Sequence, residues 1–75
     1  MKLLVREKVR EIITLAMLKE TKERSAIVNY SKGILAVQIE ENWKVVESLL
    51  VDLNSSTAEE ELEEVIFKIK SLGGK

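Results

Sequence analysis

Apolar residues recur at intervals of three and four through the first part of the chain. This spacing places their side chains on one face of a helix, so it predicts a long amphipathic helix over residues 2–24. Oppositely charged residues four positions apart, such as Glu20 and Arg24, favour its continuation to residue 24. The predicted inner face consists of Val5, Val9, Ile12, Ile13, Ala16 and Met17.

Two runs of β-forming residues follow and predict a β-hairpin over residues 26–39. The residues between the runs, 31–33, suit a three-residue loop in which Gly33 takes the left-handed conformation. In the second run Leu35, Val37 and Ile39 share one face, and the opposite face is nearly as apolar. We therefore expect both faces of this strand to be at least partly covered.

The last third of the chain returns to helical spacing. It predicts a helix over residues 43–54 with Asn42 as N-cap, and a second helix over residues 57–72 that begins with a capping box. The two predicted core stripes are Trp43, Val46, Leu49, Leu50 and Leu53, and Ala58, Leu62, Val65, Ile69 and Leu72. The predicted fold is a small α+β single domain over residues 1–75, in the order α-β-β-α-α.

The chain is short and has no covalent or metal staple. It contains 75 residues with no Cys and no His, so disulfides and the commonest transition-metal ligands are excluded. Chains of this size bury only about 60% of their unfolded surface, and a lone two-stranded hairpin is marginal in water. Association is the remaining source of stability, and we expect a homodimer.

The same composition argues against catalysis. Without His and Cys the usual pairs of nucleophile and base cannot form, and no glycine-rich phosphate loop is present. The acidic run over residues 59–64 fits a solvated helix start better than a cation site. We expect no enzymatic activity, no cofactor, no metal and no small-molecule substrate. No uninterrupted apolar run exceeds four residues, and charged residues interrupt the N-terminal apolar stretch, so we expect a cytoplasmic protein without membrane contact.

Charge is distributed unevenly between the two parts of the chain. Residues 1–33 carry eight Lys or Arg against four Glu, whereas residues 34–75 carry four Lys against nine acids. The two parts can attract each other within one chain, which we favour, or the basic part can bind phosphate. Arg6, Arg10 and Arg24 are predicted to form one stripe on the first helix. The candidate phosphate contacts are Arg6, Arg10, Arg24, Lys2, Lys8, Lys22 and Lys32.

Several apolar residues lie away from the predicted core stripes. Phe67 is about 160° from the centre of its helix's inner stripe, which is typical of an interface residue. The candidate contacts with a partner or a second copy are Phe67, Leu3, Leu18, Val51, Leu35 and Val37. The sequence thus favours a small interaction module (an adaptor, inhibitor or accessory subunit) that acts as a homo-oligomer and binds protein rather than nucleic acid. The alternative is a nucleic-acid-binding transcriptional regulator that uses the basic N-terminal helix.

Overall fold

The computed structural model describes residues 2–72, so both ends of the predicted 1–75 domain lie outside the described residues. The described part forms two helices and three strands in the order α-β-β-β-α. Their bounds are α1 Leu3–Leu18, β1 Arg24–Ser31, β2 Ile34–Glu41, β3 Lys44–Asp52 and α2 Ala58–Lys70. The predicted α+β class is confirmed, whereas the predicted order α-β-β-α-α is wrong because the fourth element is a strand.

The three strands form an antiparallel sheet in the order β1-β2-β3. Both connections are two-residue turns in which both residues have positive φ: Lys32 at 52° and Gly33 at 81°, then Asn42 at 54° and Trp43 at 70°. Two positive φ angles in a two-residue loop characterise the type I′ turn, whose twist matches that of the flanking strands. The predicted three-residue loop is therefore corrected, because Ser31 pairs with Ile34 as part of the ladder.

The predicted helix over residues 43–54 is strand β3. Its spacing of apolar residues also fits a strand in which Leu49 and Val51 face one side and Leu50 faces the other. Pairing with β2 selects the strand, since Val37 lies opposite Leu49 and Leu35 lies opposite Val51. Burial of those pairs overrides a helical propensity that is weak for β-branched residues. Asn42 consequently serves in a turn and not as an N-cap.

The first helix ends at Leu18, six residues earlier than predicted. Arg24 belongs to β1, where it lies opposite Glu41. The connection is closed by Thr21, whose backbone N–H donates to the Arg24 carbonyl over 2.8 Å. The Thr21 hydroxyl oxygen accepts a bond from the Arg24 N–H over 3.0 Å. The last turns of the predicted helix are thus replaced by a hydrogen-bonded turn at Thr21 and by the start of β1 at Arg24.

One face of the sheet and the two helices enclose the core. Leu35, Val37 and Ile39 of the central strand are buried beneath α1 and α2. The predicted inner stripe of the last helix is confirmed, whereas that of α1 is only partly right because Met17 and Ile13 are exposed. The buried helical residues are Val5, Ile12, Ala58, Leu62, Val65, Ile66 and Ile69.

The central position of β2 changes the argument for association. A lone hairpin would need a second copy beside its apolar second strand, but β3 of the same chain already pairs there. The face of the sheet opposite the helices, however, is covered by no element of residues 2–72. The expectation that both faces of β2 are at least partly covered is therefore met on the helical side only, and the face opposite the helices is left open to solvent within the described chain.

Candidate interaction surfaces

The sheet face opposite the helices, here called the outer sheet face, is defined by the strand register. Residues paired across the ladder share a face, so the partners of Ala36 and Gln38 lie beside them. A bulge at Val46 shifts the register near the second turn, where Ile39 pairs with Glu47 and Glu40 pairs with Val45. The face comprises Ser25, Ile27, Asn29, Ser31, Ile34, Ala36, Gln38, Glu40, Val45, Ser48, Leu50 and Asp52.

The outer sheet face is almost uncharged. Of these twelve positions only Glu40 and Asp52 carry a charge, and they lie at opposite ends of the face. Its two central rows, which centre on Ala36 and Gln38, contain only apolar and neutral polar residues. Because 33% of the whole chain is charged, this depletion distinguishes the face from the rest of the surface.

Large apolar side chains project from this face into solvent. Leu50 is 71% exposed, Val45 is half exposed, and Ile27 and Ile34 are each exposed over more than a third of their surface. A solvated sheet face ordinarily alternates polar outward residues with apolar inward ones. The exposed aliphatic groups therefore make the outer sheet face a candidate contact surface.

Trp43 stands at one end of the outer sheet face, in the β2–β3 turn. It is 86% exposed and lines a groove of about 430 Å³ with Ser25, Glu40 and the residues before β1. A bulky residue with φ of 70° is a conformational outlier, because its Cβ crowds the backbone. The turn is held in place by the Asn42 N–H, which donates to the Glu23 carbonyl over 2.7 Å. Trp43 thus combines backbone strain with nearly complete exposure of a large apolar ring.

The predicted partner contacts divide into two groups. Phe67, Leu3 and Leu18 are exposed, and Phe67 lies on α2, on the opposite side of the molecule from the outer sheet face. Val51, Leu35 and Val37 are buried in the chain's own core, so their prediction as partner contacts is corrected. Sequence reasoning missed Trp43, Leu50, Val45, Ile27 and Ile34. Alternation along β3 would have found Leu50 if residues 44–52 had been interpreted as a strand, whereas Val45 reaches the outer sheet face only because of the bulge at Val46.

The predicted phosphate contacts do not form one surface. The stripe of three arginines is wrong, because Arg24 lies on β1 and its Nε is 3.8 Å from a Glu41 carboxylate oxygen. Lys8 pairs with Glu63 of α2. Lys22 lies in the loop before β1, whereas Lys32 lies in the first hairpin turn. Lys2 precedes α1 and borders a different groove, beside Ala58 and Glu59.

Arg6 and Arg10 alone remain neighbours, on the exposed side of α1. Neither forms an ion pair within residues 2–72. They border a groove of about 400 Å³ between α1 and the sheet, here called the arginine groove. Its other lining residues are Val9, Ile13, Tyr30 and Leu53, and the Tyr30 ring is 58% exposed.

Ion pairs join α1 and α2 along their shared side. Hydrogen bonding to the Glu63 carboxylate raises the pKa of Lys8 above its ordinary value, and the same bond lowers the pKa of Glu63. Lys70 lies 3.9 Å from Glu11 in a second pair between the helices. Pairs such as Lys8 with Glu63 show the basic and acidic parts of the chain meeting within one molecule.

A further pair joins α2 to the sheet. Lys68 donates to Glu47 of β3 over 2.6 Å, and this bond raises the pKa of Lys68. The Glu47 carboxylate is thereby held on the helical side of β3, away from the outer sheet face. The pair helps to keep a third carboxylate off that face, whose charged residues are Glu40 and Asp52.

Within residues 2–72 no group of three or more metal-ligating side chains comes together. Nor does any helix in this described range have the length and apolarity needed to cross a membrane. No protein-family model matches the sequence, and comparisons with curated proteins and with solved structures find no match either.

Proposed function

We propose that this protein is a non-enzymatic interaction module that forms a homodimer by packing its outer sheet face against that of a second copy. The observation that carries the proposal is the combination of exposed aliphatic side chains with the absence of charge from the two central rows of that face. The dimer leaves both helices accessible to other macromolecules. The module would then act as an adaptor, inhibitor or accessory subunit.

The neutrality of the face supports a second copy as its occupant. In a two-fold dimer the same patch meets itself, so any charge near its centre would approach a like charge. Glu40 and Asp52 lie in the two end rows, so the central rows of two copies can meet without a carboxylate at the centre of the interface. Two sheets can then pack at the usual distance of about 10 Å with their apolar side chains interdigitated.

The area of the face indicates that Trp43 belongs to the same interface. Three strands of about eight residues give a plan area of about 14 by 26 Å, or about 750 Å² for two copies. That value is below the roughly 1,000 Å² expected of a stable interface. Burying an aromatic side chain adds about 150–250 Å² in each copy. With Trp43 included, the dimer exceeds the threshold.

A charge substitution on the outer sheet face tests the proposal. Leu50→Lys places an ammonium group among the apolar residues of the interface, and Phe67→Lys is its matched control because both side chains are 71% exposed. Light scattering should give about twice the 8.5 kDa chain mass for the wild type and for Phe67→Lys, and the single-chain mass for Leu50→Lys. A monomeric wild type, or a dimeric Leu50→Lys variant, would contradict the proposal.

A further inference from the structure

The arginine groove offers a second surface of distinct chemistry. It lies on the helical side of the sheet, because Tyr30 pairs with the buried Leu35 and therefore faces α1. The groove thus remains open when the outer sheet faces of two copies meet. Its volume of about 400 Å³ is near the lower end of the 300–1,000 Å³ range of ligand sites.

The lining of the groove has an apolar floor and a cationic rim. Val9, Ile13 and Leu53 supply aliphatic groups, and the exposed ring of Tyr30 adds an aromatic surface. Arg6 and Arg10 lie four residues apart on α1, so their guanidinium groups project from the same side of the helix. Like charges in this arrangement destabilise a helix, and an anionic partner removes that repulsion.

We infer that the arginine groove binds an acidic segment of a protein partner, with a large apolar side chain on the floor and carboxylates beside the two arginines. The apolar floor favours this occupant over nucleic acid, whose phosphates require cations and would leave the aliphatic groups unpaired. The inference specifies a partner for the proposed module, but it does not depend on dimer formation.

Fluorescence anisotropy with labelled probes tests this inference. The first probe is a twelve-residue peptide with one central Phe flanked on each side by two Glu in a neutral polar background. Two matched peptides replace its Glu by Gln, or its Phe by Ser. The fourth probe is a mixed-sequence single-stranded DNA of twelve nucleotides. We expect saturable binding of the first peptide and at least about tenfold weaker binding of each of the other three probes, a difference of about 1.4 kcal/mol.

Protein variants locate the binding site. Arg6→Glu combined with Arg10→Glu should weaken binding of the first peptide at least about tenfold. The matched control combines Lys22→Glu with Lys44→Glu, two exposed positions away from the groove, and makes the same change in net charge. This control should bind as the wild type does. Circular dichroism of each variant checks folding, and Arg6→Gln with Arg10→Gln replaces the Glu pair if the latter fails to fold.

Three outcomes would overturn the inference. The first is absence of saturable binding by the acidic peptide. The second is equal loss of binding in the Arg6/Arg10 and Lys22/Lys44 variants, which would indicate a net-charge effect without a site. The third is binding of the DNA probe in preference to the peptide, with a steep dependence on salt, which would make the arginine pair a phosphate contact. None of these outcomes changes the mass of the wild-type dimer, so a failure here is distinct from a failure of the proposed function.

Discussion

Replacing Trp43 by Gly should strengthen the fold of the single chain while weakening its dimer. Trp43 occupies the second position of a type I′ turn, where φ is 70°. Gly is the preferred residue there, and the substitution would give an Asn-Gly pair, among the most favourable sequences for this turn. Because the indole is 86% exposed, it contributes little burial to the single chain.

The expected change in stability follows from two opposing effects. An L-residue in the left-handed region costs about 1–2 kcal/mol, which Gly avoids. Gly in turn loses more backbone entropy on folding, by about 0.5–1 kcal/mol. The midpoints of these two ranges leave a net stabilisation of about 0.75 kcal/mol, which raises Tm by roughly 3–6 °C in a chain of this length.

Thermal unfolding followed by far-UV circular dichroism measures this effect, at concentrations low enough to keep the chain monomeric. Trp43→Ala is the control because it keeps a Cβ and therefore keeps the backbone strain. We expect the Gly variant to unfold at the highest temperature, with the Ala variant close to the wild type. A Gly variant no more stable than the Ala variant would refute the assignment of strain to this position.

The same substitution should act in the opposite direction on association. Truncating a buried Trp at an interface commonly costs about 2 kcal/mol or more, which weakens the dimer at least about thirtyfold. Sedimentation equilibrium of the wild type, Trp43→Gly and Trp43→Ala measures it. Both variants should dissociate more readily than the wild type, whatever their stability. Undiminished association of both variants would place Trp43 outside the interface.

Three other predictions concern the fold. Gly33→Ala should destabilise the chain by about 1–2 kcal/mol, because a residue with a Cβ is strained at a φ of +81°. Urea unfolding should show Gly33→Asn less affected, since Asn tolerates the left-handed conformation, and equal effects of the two substitutions would contradict this explanation. Leu62→Ala should lower the free energy of unfolding by about 2–5 kcal/mol, because Leu62 is fully buried. Phe67→Ala, at an exposed position of the same helix, should change it little in the same assay. Similar losses in the two variants would contradict the placement of Leu62 in the core. The Lys8–Glu63 pair should contribute to the stability of the wild type at neutral pH, and this contribution should be lost as the pH falls through the lowered pKa of Glu63. The reason is that Glu63 binds a proton more readily in the unfolded chain than in the folded one. Urea midpoints at about pH 7 and about pH 3 should therefore differ less in Glu63→Gln than in the control Glu60→Gln, and equal differences would count against the pair.

The sequence predicted those elements in which local and tertiary preferences agree. The last helix was correctly predicted because its apolar spacing and acidic start indicate the same structure, and Leu62 and Val65 are buried as expected. Its predicted capping box is wrong, because the N-cap residue Thr57 forms no capping side-chain bond and donates its hydroxyl to Glu61 instead. The hairpin over residues 26–39 was also found, since its β-forming runs flank a Gly33 turn. Helix α1 was predicted to extend too far. Charge pairs four residues apart in residues 19–24 favour a helix locally, but Arg24 pairs with Glu41 in the sheet.

Strand β3 was missed because its turn breaks the local rule. A Gly after Asn42 would have indicated a hairpin, but the chain has Trp43 there. Spacing alone could not decide, since Leu49, Leu50 and Leu53 satisfy a helix as well. Departures from local preference are expected at functional positions. The outer sheet face could not be predicted for the same reason, because its members are defined only by the register of β3 against β2.

Trp43 is the single tryptophan of the chain, so its fluorescence reports directly on the proposed interface. The emission maximum should be blue-shifted at high protein concentration and should move to the position of a solvated indole on dilution. The midpoint of this shift should coincide with the dissociation constant from sedimentation equilibrium. An emission maximum typical of solvated indole at every concentration, including those at which the mass has doubled, would contradict the packing of Trp43 and the outer sheet face against a second copy.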